Sequence, residues 1–387
     1  MISPARRLAF EVLSRVEGGA WASEVLAGSS AGLDSRDAGL ATEIVFGTLR
    51  HLPQLDFLIG HFGKRDPEKL DAAVRLALRA GIYQLRYMDR IPAHAAVSES
   101  VEWMRQAGQP RAAGLVNAVL RRVTREPVDW HHREIALSTP LWLLEGWDKQ
   151  FGRETADRIA AAFLQRPDTF VRNPPAGHGL ELEPTDVPGA WRVLSGDARG
   201  LRIQDAGSQS IVPLLGLEEG MTFLDVCAAP GNKTAQALEA GARAVAADLY
   251  VHRLRQFSGC PRVALDATVP LPFRGAFDRI LVDAPCSGTG TLGRNPEIKW
   301  RLNPTDIRDL HGRQVRILRN SLELLAPGGR LVYSTCALEK RENEEVVARV
   351  LKPLETRFRT AGTFRRTPGI DAGDGFFAAV VEACVIP

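Results

Sequence analysis

The sequence runs to 387 residues, 25% charged and 45% hydrophobic, with a formal net charge of +3. These values exclude a disordered, collagenous or strongly basic chain and predict two or three globular domains. The five cysteines (Cys227, Cys260, Cys286, Cys336 and Cys384) have no Cys-x-x-Cys spacing, which speaks against a disulfide framework and a structural zinc site. No apolar run reaches the ~20 residues that span a bilayer. No signal-peptide core follows Met1-Ile-Ser-Pro-Ala-Arg-Arg7. A cytoplasmic monomer without a metal is expected.

Residues 1–126 read as helix after helix. Ser3-Pro4 is a cap with proline at the first helical position, and Leu8, Val12, Leu13 and Val16 then share one face until Gly18-Gly19. A second helix starts at Asp34 or Ser35, turns Leu40, Ile44, Val45 and Leu49 inward, and ends before Pro53. A third begins at Asp66-Pro67, with Leu70, Val74, Ala77 and Leu78 inward. A fourth follows Pro92 with Val97, Val101 and Met104, and a fifth follows Pro110 with Leu115, Val119, Leu120 and Val123. Five capped amphipathic helices with short connections predict an all-α bundle. Its basic clusters, Lys64-Arg65 and Arg121-Arg122 with Arg125, read on charge alone as solvated helix ends favoured by the helix dipole. The segments Phe46-Gly-Thr-Leu-Arg-His51, Gly81-Ile-Tyr-Gln-Leu-Arg-Tyr87 and Val116-Asn-Ala-Val-Leu-Arg-Arg122 together resemble the NusB-like RNA-binding domain, and that resemblance implies RNA binding here.

Residues 127–203 are punctuated by Pro127, Pro140, Pro167, Pro174-Pro175, Pro184 and Pro188, which predicts a linker and a small α+β subdomain. Helical pieces are expected at 140–144 and 154–164. Trp142, Trp147 and Trp191 offer faces on which RNA bases stack, although packing is the plainer reading of large aromatics.

From residue 204 to 387 strands and helices alternate, the pattern of an α/β doubly wound sheet. The strand Met221-Thr-Phe-Leu-Asp225-Val runs into Cys227-Ala228-Ala229-Pro230-Gly231-Asn232-Lys233-Thr234 and then a helix. A strand, a tight small-residue loop and a helix N-terminus make a site for a nucleotide-like ligand. The dinucleotide fingerprint is absent, and a phosphate loop is excluded because Asn232 and Cys227 stand where its glycines would be needed. The next two strands end in Asp248, placed for ribose hydroxyls, and Asp266, placed for an adenine amino group, although an acid at a strand end also serves as a cap. The pattern is that of an S-adenosylmethionine-binding domain.

Two further apolar runs, Arg279-Ile-Leu-Val-Asp283 and Arg330-Leu-Val-Tyr-Ser334, read as buried parallel strands. Each delivers a cysteine just past its carboxyl end, Cys286 in Asp283-Ala-Pro-Cys-Ser-Gly-Thr-Gly290 and Cys336 in Ser334-Thr-Cys336. That is the edge at which open α/β sheets bind ligands. Two thiols and a carboxylate there point to covalent chemistry on an electrophile, against the plainer reading of a cysteine as a small buried residue.

With Cys227-Ala-Ala-Pro-Gly-Asn-Lys-Thr234, these motifs in this order look like RNA cytosine-C5 methyltransferases. With the NusB-like front end, the chain is similar over essentially its whole length to the RsmB (Sun/Fmu) family, which modifies a cytosine in small-subunit (16S) ribosomal RNA. The resemblance implies three parts: a NusB-like bundle, a small α+β RNA-binding subdomain, and a Rossmann-like class I methyltransferase domain. It implies S-adenosyl-L-methionine as methyl donor, held by residues 227–233, Asp248, Asp266 and Asp283. By the resemblance Cys336 is the nucleophile and Cys286 assists product release; residue chemistry alone leaves either free to attack. Asp283 is expected near the base, kept protonated by apolar surroundings so that it can donate to N3. Asn232 replaces the family's usual second glycine, and the span from Asp248 to Asp266 is short for the usual helix.

Arg294, Lys299, Arg301, Arg308, Arg313, Arg316 and Arg319 form a candidate track for RNA phosphates. Asn343-Glu344-Glu345 reads as a helix first turn. The competing readings are a transfer-RNA methyltransferase, a non-catalytic RNA-binding protein, and a thiol hydrolase, for which no histidine has a suitable context.

Overall fold

The computed structural model describes residues 2–29, 32–255 and 257–384. The chain forms two compact units, one of Met1–Asp148, Ala160–Arg166 and Leu292–Arg301, the other of Lys149–Ile159, Pro167–Thr291 and Leu302–Pro387.

The first unit is helical: α1 (Pro4–Glu17), α2 (Ala22–Ser29), α3 (Ser35–Arg50), α4 (Leu52–Gly63), α5 (Ala72–Tyr87), α6 (Ala93–Gln106) and α7 (Ala113–Leu120). Pro4 occupies the first turn of α1, and the Asp34 side chain accepts from the Asp37 amide to start α3. All five expected helices are present. The sequence reading missed α2, and it missed α4 because it took Pro53 as a stop, whereas Pro53 sits in the first turn of α4, where no backbone donor is lost. It also started the third helix early. Pro67–Lys69 is a single 3₁₀ turn, and Asp71 caps α5.

Leu13, Ile44, Leu55, Leu58, Ile59 and Leu78 are among the side chains that fill the core between these helices. Two glycines set how closely the helices approach. A Cβ on Gly47 would overlap the ring of Tyr83, and one on Gly81 would stand 2.7 Å from Leu120 Cδ1. These glycines lie in two of the three NusB-like segments, so the motif residues act as contact points between helices. Short helices α8 (Arg133–Ala136), α9 (Leu141–Phe151) and α10 (Arg153–Ala162) follow. Trp147 is buried, with its ring 6.0 Å from that of Phe163, which removes it as a surface for bases.

In the second unit β1 (Phe170–Arg172), β2 (Glu181–Pro184) and β3 (Ala190–Ser195) make an antiparallel sheet of order β1-β3-β2. The main sheet has order β6-β5-β4-β7-β8-β10-β9. Its elements are α11 (Ala206–Gln209), β4 (Thr222–Asp225), α12 (Asn232–Glu239), β5 (Arg243–Asp248), α13 (Val251–Leu254), β6 (Arg262–Ala264) and β7 (Phe277–Asp283). After α14 (Ile298–Arg301), which belongs to the first unit, come α15 (Pro304–Leu322), β8 (Leu325–Thr335), α16 (Glu344–Leu351), β9 (Phe358–Arg366) and β10 (Phe376–Ala383). Strands β4 to β8 pair in parallel, and β10 runs antiparallel to β8 and β9. The helix between β5 and β6 is only the four residues of α13, in keeping with the short span there.

Leu224, Ile280, Leu281, Val282, Leu331 and Val332 are wholly buried, as expected of strands covered on both faces. The register pairs Asp283 of β7 with Ser334 of β8. The loops that follow these two strands therefore leave the same edge of the sheet side by side.

Candidate active site

The loop after β4 is shaped by its own backbone. Ala228 N donates to Ala247 O at 2.8 Å, and Gly231 N returns to Ala228 O at 2.7 Å. Gly231 has φ 107°, and a Cβ there would lie 2.5 Å from Phe257, so only glycine fits both the turn and the space. Cys227 is partly buried, and burial pushes its thiol pKa up, which suits a packed residue better than a reactive one. Pro230 is exposed, while Asn232 opens α12.

Asp248 accepts from Ala229 N through Oδ2 at 3.1 Å and from Tyr250 N through Oδ1 at 3.0 Å. A carboxylate oxygen has two lone pairs, so each retains capacity for a ribose hydroxyl. Asp225 lies beneath the loop. Thr234 Oγ1 donates to its Oδ2 at 2.7 Å, whereas Oδ1 is buried with no hydrogen-bond partner among the described residues. Burial pushes the Asp225 carboxyl up to about 7. An unsatisfied buried oxygen beside a strand-to-helix loop, with Asp248 beyond it, fits a polar, nucleoside-bearing ligand.

Asp266 stands apart from this cluster. It is exposed, two residues past β6, and its Oδ1 accepts from Thr268 N at 2.8 Å and Thr268 Oγ1 at 2.7 Å, holding it below the ordinary carboxylate range.

Lys233 was expected only as part of the cofactor loop. Its side chain instead crosses to Asp283, with Nζ 2.6 Å from Oδ2, and lies 5.1 Å over the ring of Phe376. Burial works against the ammonium, but Asp283 outweighs it and the net direction of the Lys233 pKa is up. Ser334 Oγ donates to the other Asp283 oxygen at 2.8 Å. The apolar surroundings expected for Asp283 are therefore replaced by an ion pair and a hydroxyl. This partnership was not read from sequence, because 50 residues separate Lys233 from Asp283.

The two cysteines converge. Cys286 Sγ lies 3.3 Å from Cys336 Sγ, and the loops that carry them are tied together by Ala284 N to Ser334 O and Gly290 N to Cys336 O, each at 2.8 Å. The hydrogen bond with Cys336, then burial, pushes the Cys286 thiol well up. A Cβ on Gly290 would stand 2.7 Å from Cys336 O, so the lacing requires glycine.

Several charged and polar residues do other work than expected. Lys299 is buried, with Nζ donating to Arg50 O at 3.1 Å and Ser138 O at 2.5 Å. Arg301 donates to Val16 O, Gly19 O and Ala20 O at the end of α1. These two leave the candidate phosphate track, while Arg308, Arg313, Arg316 and Arg319 are exposed on α15. Asn343 does not cap α16 with its side chain. It bonds Thr335 Oγ1 at 2.5 Å and Ala337 O at 2.9 Å, on either side of Cys336. Among the described residues there is no group of three side chains able to hold a metal, and no helix is long and apolar enough to cross a membrane.

Both parts of the chain match known families. Residues 212–382 match the family model described as 16S rRNA methyltransferase RsmB/F, and residues 3–125 match the NusB family. Ribosomal RNA small subunit methyltransferase B of Erwinia tasmaniensis is 34% identical over 94% of this chain and 95% of its own. The protein of the same name from Klebsiella pneumoniae (strain 342) is 34% identical over 97% of each. The crystal structure of PH0851 covers 99% of both chains with a TM-score of 0.78 at 20% identity, a likeness of fold. A methyltransferase homolog protein from Pyrococcus horikoshii covers 64% of this chain and 97% of its own, with a TM-score of 0.56 at 24% identity. The chain belongs to the RsmB/F family of S-adenosylmethionine-dependent RNA methyltransferases.

Proposed function

We propose that the protein methylates C5 of a cytosine in 16S ribosomal RNA through a covalent bond between Cys336 and C6 of the base. The observation that carries this reading is the pair of thiols 3.3 Å apart at the ends of adjacent parallel strands, beside Asp283. C5 of cytosine is a weak nucleophile. A thiolate adding to C6 shifts the ring electrons towards N3 and makes C5 enamine-like. S-adenosylmethionine supplies, from its sulfonium, the methyl that C5 then takes. Loss of the C5 proton returns an electron pair to the ring, and Cys336 departs as C5=C6 re-forms.

The division of labour follows from the resemblance and the surroundings. In this reading Cys286 donates in the thiol pair and Cys336 Sγ accepts and carries the electron pair; the 3.3 Å contact is compatible with either direction, and the resemblance of Ser334-Thr-Cys336 to the family's nucleophile motif decides it. Cys286 then has a proton to deliver as Cys336 leaves. Asp283, held by Lys233 and Ser334, is placed to meet the polar edge of the base, and the nearby Lys233 ammonium offsets negative charge that develops there. Residues 227–233, Asp248 and Asp283 would hold the methyl donor; Asp266 is offered as a contact only through its place after β6.

A target inside a helix is out of reach of such a site, so a looped or extruded cytosine is expected. Labelled S-adenosylmethionine and small-subunit RNA, with wild type, Cys336→Ala and Cys286→Ala, test the reading. Cys336→Ala should give neither product nor a denaturation-resistant protein–RNA adduct, and Cys286→Ala should accumulate a methylated adduct. The reverse pattern would make Cys286 the nucleophile. Methylation of transfer RNA in place of small-subunit RNA would overturn the substrate.

A further inference from the structure

Both cysteines sit in loops whose flanking peptide groups are held by one short stretch of chain. Glu342 is fully buried, and its Oε2 accepts from Ser287 N at 2.9 Å and from Gln314 Nε2 at 2.9 Å. The same Gln314 Nε2 donates to Pro285 O at 3.0 Å. The residues on both sides of Cys286 are thus gripped by a single Gln314–Glu342 unit. The next residue, Asn343, does the same for the other thiol. Thr335 Oγ1 and Asn343 Oδ1 bond at 2.5 Å, Ala337 N donates to Thr335 Oγ1 at 3.2 Å, and Asn343 Nδ2 donates to Ala337 O at 2.9 Å.

We propose that Glu342 and Asn343, with Gln314, are positioning residues that set the separation of the two thiols: Glu342 and Gln314 hold Cys286, and Asn343 holds Cys336. Adjacent residues of one backbone fix the two loops against a common frame, the 3₁₀ turn Lys340–Glu342 leading into α16. That frame is itself anchored, because Tyr333 Oη donates to Glu342 O at 2.6 Å. None of the three needs to touch RNA or methyl donor. Gln314 Oε1 and Glu342 Oε1 are buried without a hydrogen-bond partner among the described residues, so each side chain spends its bonds on the grip through its other polar atom.

This inference rests on the proposed roles of Cys336 and Cys286, and its test separates the two claims. In the full chain, Glu342→Ala and Gln314→Ala should transfer a first methyl, lose turnover by up to about 10²-fold, and accumulate adduct as Cys286→Ala does. Asn343→Ala should instead lose adduct formation. Glu342→Gln should restore most of the turnover lost in Glu342→Ala, since an amide oxygen still accepts from Ser287 N.

In parallel, alkylation of each cysteine against pH, resolved by peptide mass, should change at Cys286 alone in Glu342→Ala and Gln314→Ala. It should change at Cys336 alone in Asn343→Ala. Identical behaviour of the Glu342 and Asn343 variants, or wild-type behaviour of all, would overturn the proposal. Should the cysteine variants contradict the assigned roles, that assignment falls, and the alkylation pattern, which needs no RNA, still decides the positioning claim. Where Glu342→Ala does not fold, Gln314→Ala releases the same grip from α15.

Discussion

Lys233 Nζ meets Asp283 Oδ2 at 2.6 Å, and Ser334 Oγ meets the opposite oxygen at 2.8 Å. The first residue comes from the first turn of α12, just past the loop after β4, the second from the end of β7 and the third from β8. One carboxylate therefore ties the expected methyl-donor loop to the two strands that deliver the cysteines. An acid so engaged is fixed in direction, which suits a group that must meet one edge of a base.

Lys233→Met leaves the Asp283 carboxylate with only the serine. Removing one partner of a buried pair costs about 3 kcal/mol; the low end of that range applies, because the Asp283 side chain keeps 28% exposure. Single-turnover methyl transfer should fall by about 10²-fold or more, and urea unfolding should register the loss of stability. A variant with the parental rate would remove Lys233 and its ion pair from the chemistry.

Gly290 laces the two cysteine loops together. Its N donates to Cys336 O and its O accepts from Gly375 N, both at 2.8 Å, and an added methyl would run into Cys336 O and Gly375 O. Backbone oxygens cannot rotate away as a flexible side chain can. Gly290→Ala should destabilise by about 1–3 kcal/mol and widen the gap between the cysteines. The measurable consequence is slower adduct formation at an RNA concentration that saturates the parent.

Gly47 and Gly81 are the counterparts in the helical unit. Gly47→Ala drives a methyl into the Tyr83 ring, whose hydroxyl is held by Glu43 at 2.5 Å, while Gly81→Ala meets the ends of Leu120, which can shift. Both should destabilise by about 1–3 kcal/mol, Gly47→Ala more, because overpacking is worst where the neighbour cannot move. Helical circular dichroism against temperature ranks them. Equal melting points would show that the Tyr83 ring relocates freely.

The parts of the fold legible in sequence were those written in local signals. Ser3-Pro4, Asp34 and Gly18 announced helix ends, and the runs ending at Asp225, Asp248, Asp283 and Ser334 announced parallel strands. What stayed hidden depends on pairing across the chain. Lys233 could not be matched to Asp283, nor Gln314 to Glu342, without the order β4-β7-β8 and the helix packed over it. Lys299 and Arg301 illustrate the opposite error. A basic run looked like a phosphate track, but these two side chains end on backbone carbonyls, Arg50 O at the end of α3 and Val16 O in the last turn of α1 among them.

Burial pushes the carboxyls of Asp225 and Glu342 up to about 7, from ordinary values of 3.8 and 4.5. Between those values and 7 the folded protein holds a proton at each site that the unfolded chain has released. The stabilising contribution is therefore complete below the ordinary carboxyl range and is lost as pH rises towards 7, at up to about 1.4 kcal/mol per pH unit for each group. His51 in the helical unit works in the other direction. Burial pushes it down to about 4 from 6.5, so its contribution is lost as pH falls. Comparing each variant with its parent isolates the carboxyls from this opposing slope. Asp225→Asn and Glu342→Gln, which stay neutral, should gain stability relative to the parent between pH 5 and pH 8 in urea unfolding. A difference that does not change with pH would mean that the folded protein carries these two acids ionised throughout.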